Sequence, residues 1–334
     1  NSMFCSRIRV VSSVAAALLK ERGFDVVGVH LKCFNLDGCA AGDAEDARRA
    51  AEHLEIPFYA FDFEKEYKEK VVKYMVAGYK KGITPNPDVV CNQEIKFGIF
   101  YQKAMELGAD YVATGHYVRK IGDKLFTAKD KNKDQSYFLW ALKPDQVKNC
   151  LFPIGDYKKP KVRALAKKIG LHNALKKDSQ GICFLGKVTL AEFLRGYIPE
   201  KRGVVLNTSG KEIGKHNGAF YYTIGQRRGL GIGGSAKPLY VADKNVRKNT
   251  LTVAEGENHP TLYKKEIELT NLNLFEKKIP SIIFARVRYR QPVEKAKFDG
   301  KKLIFSKPVK FVAAGQSAVF YDKKGKMLGG GVIV

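Results

Sequence analysis

Thiols and a carboxylate supply the chemistry this sequence can do. Cysteines stand at Cys5, Cys33, Cys39, Cys91, Cys150 and Cys183. They form no C-x-x-C pair and no short secreted framework, which disfavours zinc and points to cytosolic thiols. Cys91 follows Thr84-Pro85-Asn86-Pro87-Asp88-Val89-Val90. Two prolines stiffen this stretch ahead of a helix expected to begin near Gln93. A thiol there has its thiolate favoured by the positive end of the helix macrodipole. Asp88, three residues earlier, is spaced to exchange a proton with a bound group. The spacing serves a buried structural cysteine in a proline-rich turn equally well. Cys183 ends Lys177-Asp178-Ser179-Gln180-Gly181-Ile182-Cys183 and precedes Phe184. With apolar neighbours it reads, taken alone, as a core cysteine. The two thiols gain a joint function only if their loops converge, since one can then carry a persulfide and the other resolve it.

Lys and Arg number 59 against 34 Asp and Glu, a formal net charge of +25 spread along the chain. Such an excess favours a polyanionic partner, because cations that neutralise phosphates release condensed counterions. Lys131 to Tyr137 and Arg286 to Arg290 set cations beside aromatics and amides, a composition that holds phosphates and stacks on bases. Each is singly compatible with a solvated surface. Tyr222 to Gly234 combines five glycines with two arginines. No helix is expected after it, so it reads as an RNA-contacting loop and not as a dinucleotide fingerprint.

The elements that must position these residues change character along the chain. Strands are expected at Arg7–Val11, Asp25–Phe34, Pro57–Phe63 and Asp110–Thr114. They alternate with helices at Ser13–Arg22, Asp43–Leu54, Glu64–Lys81 and Ile95–Leu107. This rhythm predicts an α/β doubly wound parallel sheet, with ligands beyond the carboxyl ends of its strands. The turns near Ser12-Ser13 and Thr114-Gly115-His116 fall there. After about residue 200, short β-rich runs separated by Gly and Asn turns predict two small β-rich domains. The expected units are 1–198, 199–264 and 265–334. No run of eighteen apolar residues exists, so no membrane span is expected. The start has no apolar signal region, so a cytoplasmic location is expected.

Several stretches in this order carry a resemblance: TPNPDVVCNQEIKFG (84–98), ATGHY (113–117), KDQSYFL (133–139), DSQGICF (178–184), YTIGQRRGLGI (222–232), RVRYRQ (286–291), GQSAVFY (315–321) and LGGGVI (328–333). Over nearly its full length the chain resembles the tRNA-specific 2-thiouridylase family. The resemblance implies a PP-loop, adenine nucleotide α-hydrolase-like first domain, a central tRNA-binding domain and a terminal β-barrel. It implies ATP with Mg²⁺ as cofactors, adenylation of the wobble uridine 2-oxygen, and sulfur transfer from a cysteine persulfide. The expected partners are tRNAs of the Lys, Glu and Gln types and a cysteine desulfurase or sulfur-relay protein. Cys183 matches the persulfide carrier, Cys91 its partner nucleophile and Asp88 the acid/base. Leu31 and Gly115 match ATP contacts, as do Ser12 and Ser13 from the loop pattern. Asn86, Pro87 and Asp88 match the loop facing the target base. His116, Lys133, Asp134, Gln135, Arg288, Tyr289 and Gln316 match tRNA contacts. An iron–sulfur cluster on Cys91, Cys183 and a third ligand such as Asp88 is the alternative to a pure persulfide route.

One departure matters. The family pattern SGGVDSS is represented only by Ser12-Ser13, with no Gly-Gly-Val-Asp before them. The rival readings are therefore a tRNA-binding module that has lost ATP chemistry, and a different PP-loop enzyme such as an amide-forming ligase. The ligase leaves the paired cysteines and the basic excess unexplained.

Overall fold

The computed structural model describes residues 2–6, 10–34, 39–175, 185 and 188–334. Strands β1 (Ser2–Ser6), β2 (Val26–Lys32), β3 (Phe58–Asp62) and β4 (Tyr111–Thr114) come first. A hairpin of β5 (Val118–Ile121) and β6 (Lys124–Thr127) precedes the short β7 (Cys150–Leu151). The main sheet has the order β3-β2-β1-β4-β7, all parallel. That is the doubly wound sheet expected from the strand–helix rhythm. Both of its faces are covered. Helices Val10–Glu21, Cys39–His53 and Lys159–Lys168 pack on one side. The helices over 64–80 and 87–106, with Leu190–Arg195, pack on the other. Neighbouring Val112 and Ala113 join opposite clusters, as the two-residue period of a strand requires.

Two boundaries differ from expectation. The strand expected at Arg7–Val11 is placed elsewhere: β1 runs over Ser2–Ser6, and Val10 and Val11 already belong to the first helix, while residues 7–9 lie outside the described ones. The reason is the helical period. Val11, Val14, Ala15, Leu18 and Leu19 recur at i, i+3, i+4, i+7 and i+8 and share one apolar cluster. Likewise the helix expected near Gln93 begins at Pro87. Asn86 is its N-cap, accepting a hydrogen bond from the Val89 N–H at 3.4 Å, and Pro87 occupies the first turn where its missing N–H costs nothing. The helix then passes through a wider π-type stretch, Cys91–Ile99, before Phe100–Glu106.

The second unit is a four-stranded sheet of β8 (Gly203–Asn207), β9 (Glu212–His216), β10 (Leu239–Asn245) and β11 (Thr250–Glu255), ordered β10-β11-β8-β9. The third is a closed antiparallel barrel of β12 (Tyr263–Leu274), β13 (Ile283–Arg286), β14 (Glu294–Phe298), β15 (Lys302–Lys310), β16 (Ser317–Tyr321) and β17 (Met327–Ile333). Its first strand starts just ahead of the boundary expected at 265. Alternating inward residues such as Ile267, Leu269, Leu303 and Phe305 fill it.

The barrel is fastened to the first unit by buried polar bonds. Arg286 on β13 pairs with Asp134, with side chains 7% and 2% exposed, and also donates to Ser136 Oγ (3.2 Å) and Tyr321 OH (2.9 Å). Tyr137 OH donates to the Ser317 carbonyl, and Asn273 Nδ2 to the carbonyls of Trp140 and Leu142. Removing one partner of a buried ion pair strands the other charge, at a cost of about 3–5 kcal/mol. Arg286→Met should therefore destabilise the protein by that order, and adding Asp134→Asn should recover part of the loss. Urea unfolding of the three proteins checks this; equal stability of Arg286→Met and the unaltered chain would contradict the assignment.

Candidate functional site

The proline loop is where the three units meet. Thr84 N donates to the Ala314 carbonyl at 2.7 Å, and Gln316 Nε2 donates to the carbonyls of Thr84 (2.9 Å) and Pro85 (3.2 Å). Gly315 makes this approach feasible. Its φ is +87°, and a Cβ there would lie 2.9 Å from the Thr84 carbonyl oxygen. From the second unit, Thr223 Oγ1 lies 3.4 Å from Thr84 Oγ1. Arg288 Nη2 from the barrel donates to the Ile224 carbonyl at 2.6 Å, and Lys244 Nζ donates to the Tyr222 carbonyl at 2.6 Å, its amine pushed down to about 8 by burial. The loop that leads into Cys91 is thus gripped by residues far from it in sequence.

Within that grip Asn86 and Pro87 are buried, Asp88 is half-buried and Cys91 is 5% exposed. Cys91 lies a full turn inside the helix, and its own N–H already bonds to the carbonyls of Pro87 and Asp88. The macrodipole argument for Cys91 loses force accordingly, because that field fades within the first turn. The next residue, Asn92, donates from Nδ2 to the Phe138 carbonyl and accepts from Lys96 Nζ, both at 3.0 Å. The Phe138 ring lies 4.5 Å from that of Tyr289, tilted by 48°. Hence Asn86, Pro87, Asp88, Cys91, Gln316 and Tyr289 form one neighbourhood, linked through Asn92 and Phe138.

Beside it, Gln135 Oε1 accepts from the Tyr117 N–H at 3.0 Å, following His116. His116 Nδ1 lies 2.8 Å from Thr114 Oγ1 and the ring is buried between Phe97 and Phe152. Burial first, and the Lys96 charge second, hold its pKa well below 6.5, so it is neutral at pH 7. Lys133 is half-buried, while Asp134 is buried beneath Arg286. The side chains of Asp134, His116, Arg288 and Gln316 are therefore engaged inside the protein.

The nucleotide-directed residues are split. Gly115 follows β4 and touches the first turn of the helix that follows β1; a Cβ at Gly115 would lie 2.8 Å from Ser12 Oγ. Strand order reverses between β1 and β4, which makes this the crevice where such sheets bind ligands. Ser13 faces the other way, against Ala16, Gly28 and Ala47, and its Oγ has no hydrogen-bond partner in the described structure. Leu31 is 4% exposed and packs in the core. Cys183 lies outside the described residues. Where the glycine-rich loop is expected, directly before Ser12, the chain is already in the first turn of the helix Val10–Glu21. Among the described residues no group of three His, Cys, Asp or Glu side chains could hold a metal ion, and no helix is long and apolar enough to cross a membrane.

Sequence reasoning passed over Thr223, Asn92, Lys96 and the Arg286–Asp134 pair. Thr223 and Asn92 bond to partners distant in the chain, which no local pattern reports, and Lys96 bonds one helical turn back to Asn92. Arg286 did carry a signal: it sits on a strand with apolar Ala285 and Val287 as neighbours.

Three family models match the chain in order. They are a tRNA methyl transferase HUP domain over residues 9–187, a tRNA methyl transferase PRC-barrel domain over 191–255 and an aminomethyltransferase beta-barrel domain over 264–333. The tRNA-specific 2-thiouridylase MnmA of Listeria monocytogenes serotype 4b (strain CLIP80459) is 46% identical over 341 residues, covering 97% of this chain and 92% of the relative. That of Legionella pneumophila (strain Paris) is 44% identical over 345 residues, covering 97% and 95%. Among solved structures, the U34-tRNA thiolase NcsA from Methanococcus maripaludis with its 4Fe-4S cluster aligns at 17% identity and a TM-score of 0.39, over 55% of this chain and 60% of that one. A likeness that low carries no functional weight.

The buried neutral His116 gives a pH signature. Its folded pKa lies below the unfolded value near 6.5, so its contribution to stability is full above pH 6.5 and is lost as pH falls through the folded value. His116→Asn should flatten the decline in stability between pH 6.5 and pH 5. Melting temperatures across that window test it; parallel curves for the two proteins would refute the assignment.

Proposed function

The chain belongs to the tRNA-specific 2-thiouridylase family, and we propose that it makes 2-thiouridine in tRNA through ATP activation of the base followed by sulfur delivery from a cysteine. The observation that carries this reading is the loop Thr84–Asp88, held by all three units and leading into Cys91. A loop so fixed can receive one base in one orientation, and positioning is what a substitution at a ring carbon most needs.

The residues at the strand-order reversal suit an adenine nucleotide. Gly115, lacking a Cβ, lets its backbone lie close against Ser12 in the first turn of the helix after β1, whose N–H groups suit a phosphate. These positions fit, and they are the residues that would hold ATP; Mg²⁺ would travel on its phosphates. When bound, ATP supplies the adenylyl group that turns the uridine 2-oxygen into a leaving group.

The chain's own residues do the rest. Asn86, Pro87 and Asp88 would seat the uracil, with Asp88 moving the proton at the reacting edge. Cys183 would carry the sulfane sulfur as a persulfide. Its terminal sulfur attacks C2, and AMP departs with the former 2-oxygen. Cys91 then attacks the inner sulfur of Cys183, leaving a disulfide that an external dithiol reduces. Burial of Cys91 shields its thiol from unrelated oxidants. The sulfur donor would be a cysteine desulfurase or a sulfur-relay protein, the substrates tRNAs of the Lys, Glu and Gln types, and the setting the cytoplasm. Lys133, Gln135 and Tyr289 would face the RNA, while Asp134, His116, Arg288 and Gln316 would shape the surface it meets.

Cys91→Ser and Cys183→Ser should each abolish 2-thiouridine formation while leaving tRNA affinity within about twofold. Mass spectrometry of tRNA nucleosides, together with a binding titration, reads both effects; normal 2-thiouridine in either variant sinks the cysteine roles. Release of AMP dependent on tRNA separates the enzyme from a tRNA-binding module that has lost ATP chemistry.

A further inference from the structure

A cavity of about 300 Å³ opens where all three units meet, beside the Thr84 end of the proline loop. It has room for about ten waters at their liquid volume, the lower end of the range for small-molecule pockets. Its floor is buried, with Thr84 from the first unit and Leu262 and Ala313 from the barrel's side. The hollow is not a fault of loose docking. At Gly82, which also lines it, φ is +80° and a Cβ would collide with Val246 Cγ2, so the first and second units touch there as closely as glycine permits. The bond from Thr84 N to the Ala314 carbonyl, at 2.7 Å, closes the barrel's side.

Two cations border the cavity. Lys244, on the edge strand β10, donates to the Tyr222 carbonyl at 2.6 Å, which leaves two of its three N–H groups for an occupant. Burial alone pushes its amine down to about 8, and no carboxylate acts to raise it, neighbouring Asp243 included. Lys264, exposed at the mouth on β12, has no ion pair and no hydrogen bond from its amine among the described residues. Burying a cation without a carboxylate is costly, and an apolar side chain of similar length would fill the place of Lys244 without that cost. An anion in the cavity supplies the missing partner.

We propose that this cavity is a binding site for a small organic anion, a carboxylate or phosphate monoester on a compact apolar body. Lys244 and Lys264 receive the charged head, and Ile224 and Val312 line the wall for the body. Such a ligand touches all three units at once. Thr84 is part of its floor, so occupancy tightens the junction that holds the loop leading to Cys91. Binding here needs neither ATP nor tRNA and stands apart from the thiolation reading.

The probes are phenyl phosphate, benzoate and the neutral benzyl alcohol, titrated calorimetrically against the full chain without ATP or tRNA. One anion or both should bind saturably with a Kd of about 1 mM or tighter and raise the melting temperature, while the alcohol does neither. The tighter of the two identifies the head group. Lys264→Gln should weaken that binding about tenfold and leave the melting temperature of the free protein unchanged, since its amine holds no bond within the described chain. Lys265→Gln, at the exposed neighbour that does not line the cavity, should leave binding unchanged. Lys244→Met should abolish binding, and Lys264→Gln decides the matter if that variant fails to fold. Absence of saturable binding by either anion, equal weakening by Lys264→Gln and Lys265→Gln, or binding of the alcohol as tightly as the anions would overturn the site. So would displacement of the bound anion by an unmodified tRNA transcript, which would assign these lysines to the RNA surface instead.

Discussion

Everything in the site hangs on how a five-residue loop is held. Thr84 to Asp88 contributes few apolar contacts of its own, and its prolines remove two backbone donors. The loop keeps one shape because its leading half is claimed from outside: the Thr84 N–H by Ala314 and the Thr84 and Pro85 carbonyls by Gln316 of the barrel, with the Thr84 hydroxyl beside that of Thr223 in the second unit. Gly315 is a condition of that grip, since any side chain there meets the Thr84 carbonyl. The helix bearing Cys91 starts where the loop ends, so its position inherits the loop's.

The parallel sheet, the barrel and the loop with its cysteine were legible because each leaves a local trace. Alternating strands and helices, short β runs with glycine turns, and Asn-Pro ahead of an apolar helix are all patterns of nearby residues. The register of the first strand was not legible. Arg7-Ile8-Arg9-Val10-Val11 alternates like a strand, yet Val11 continues the helical stripe of Val14, Ala15 and Leu18, and burial on that stripe decides the matter. The start of the Cys91 helix was misplaced for a related reason. An Asn cap with Pro in the first turn was read as loop stiffening, when it is also a starting signal.

The basic composition was legible as a total and misleading in detail. Arg286 and Arg288 sit in a stretch whose composition suits RNA, yet each donates to a partner inside the protein. A cation with a carboxylate or carbonyl already in hand adds little to the outward field. The lysines that matter for a polyanion are therefore the plainer ones on turns, and sequence alone cannot tell which acids have been withdrawn to neutralise the others.

The bond from Gln316 to Thr84 spans 232 residues of chain. A polypeptide emerging from the ribosome can finish the parallel sheet, and with it the crevice beside Ser12, long before the barrel strand that follows Gln316 exists. During that interval the proline loop lacks its outer support. A nascent or prematurely terminated chain therefore has the sheet and its crevice without the fixed loop. The order of synthesis thus acts as a safeguard, because the last part made completes the first part's competence.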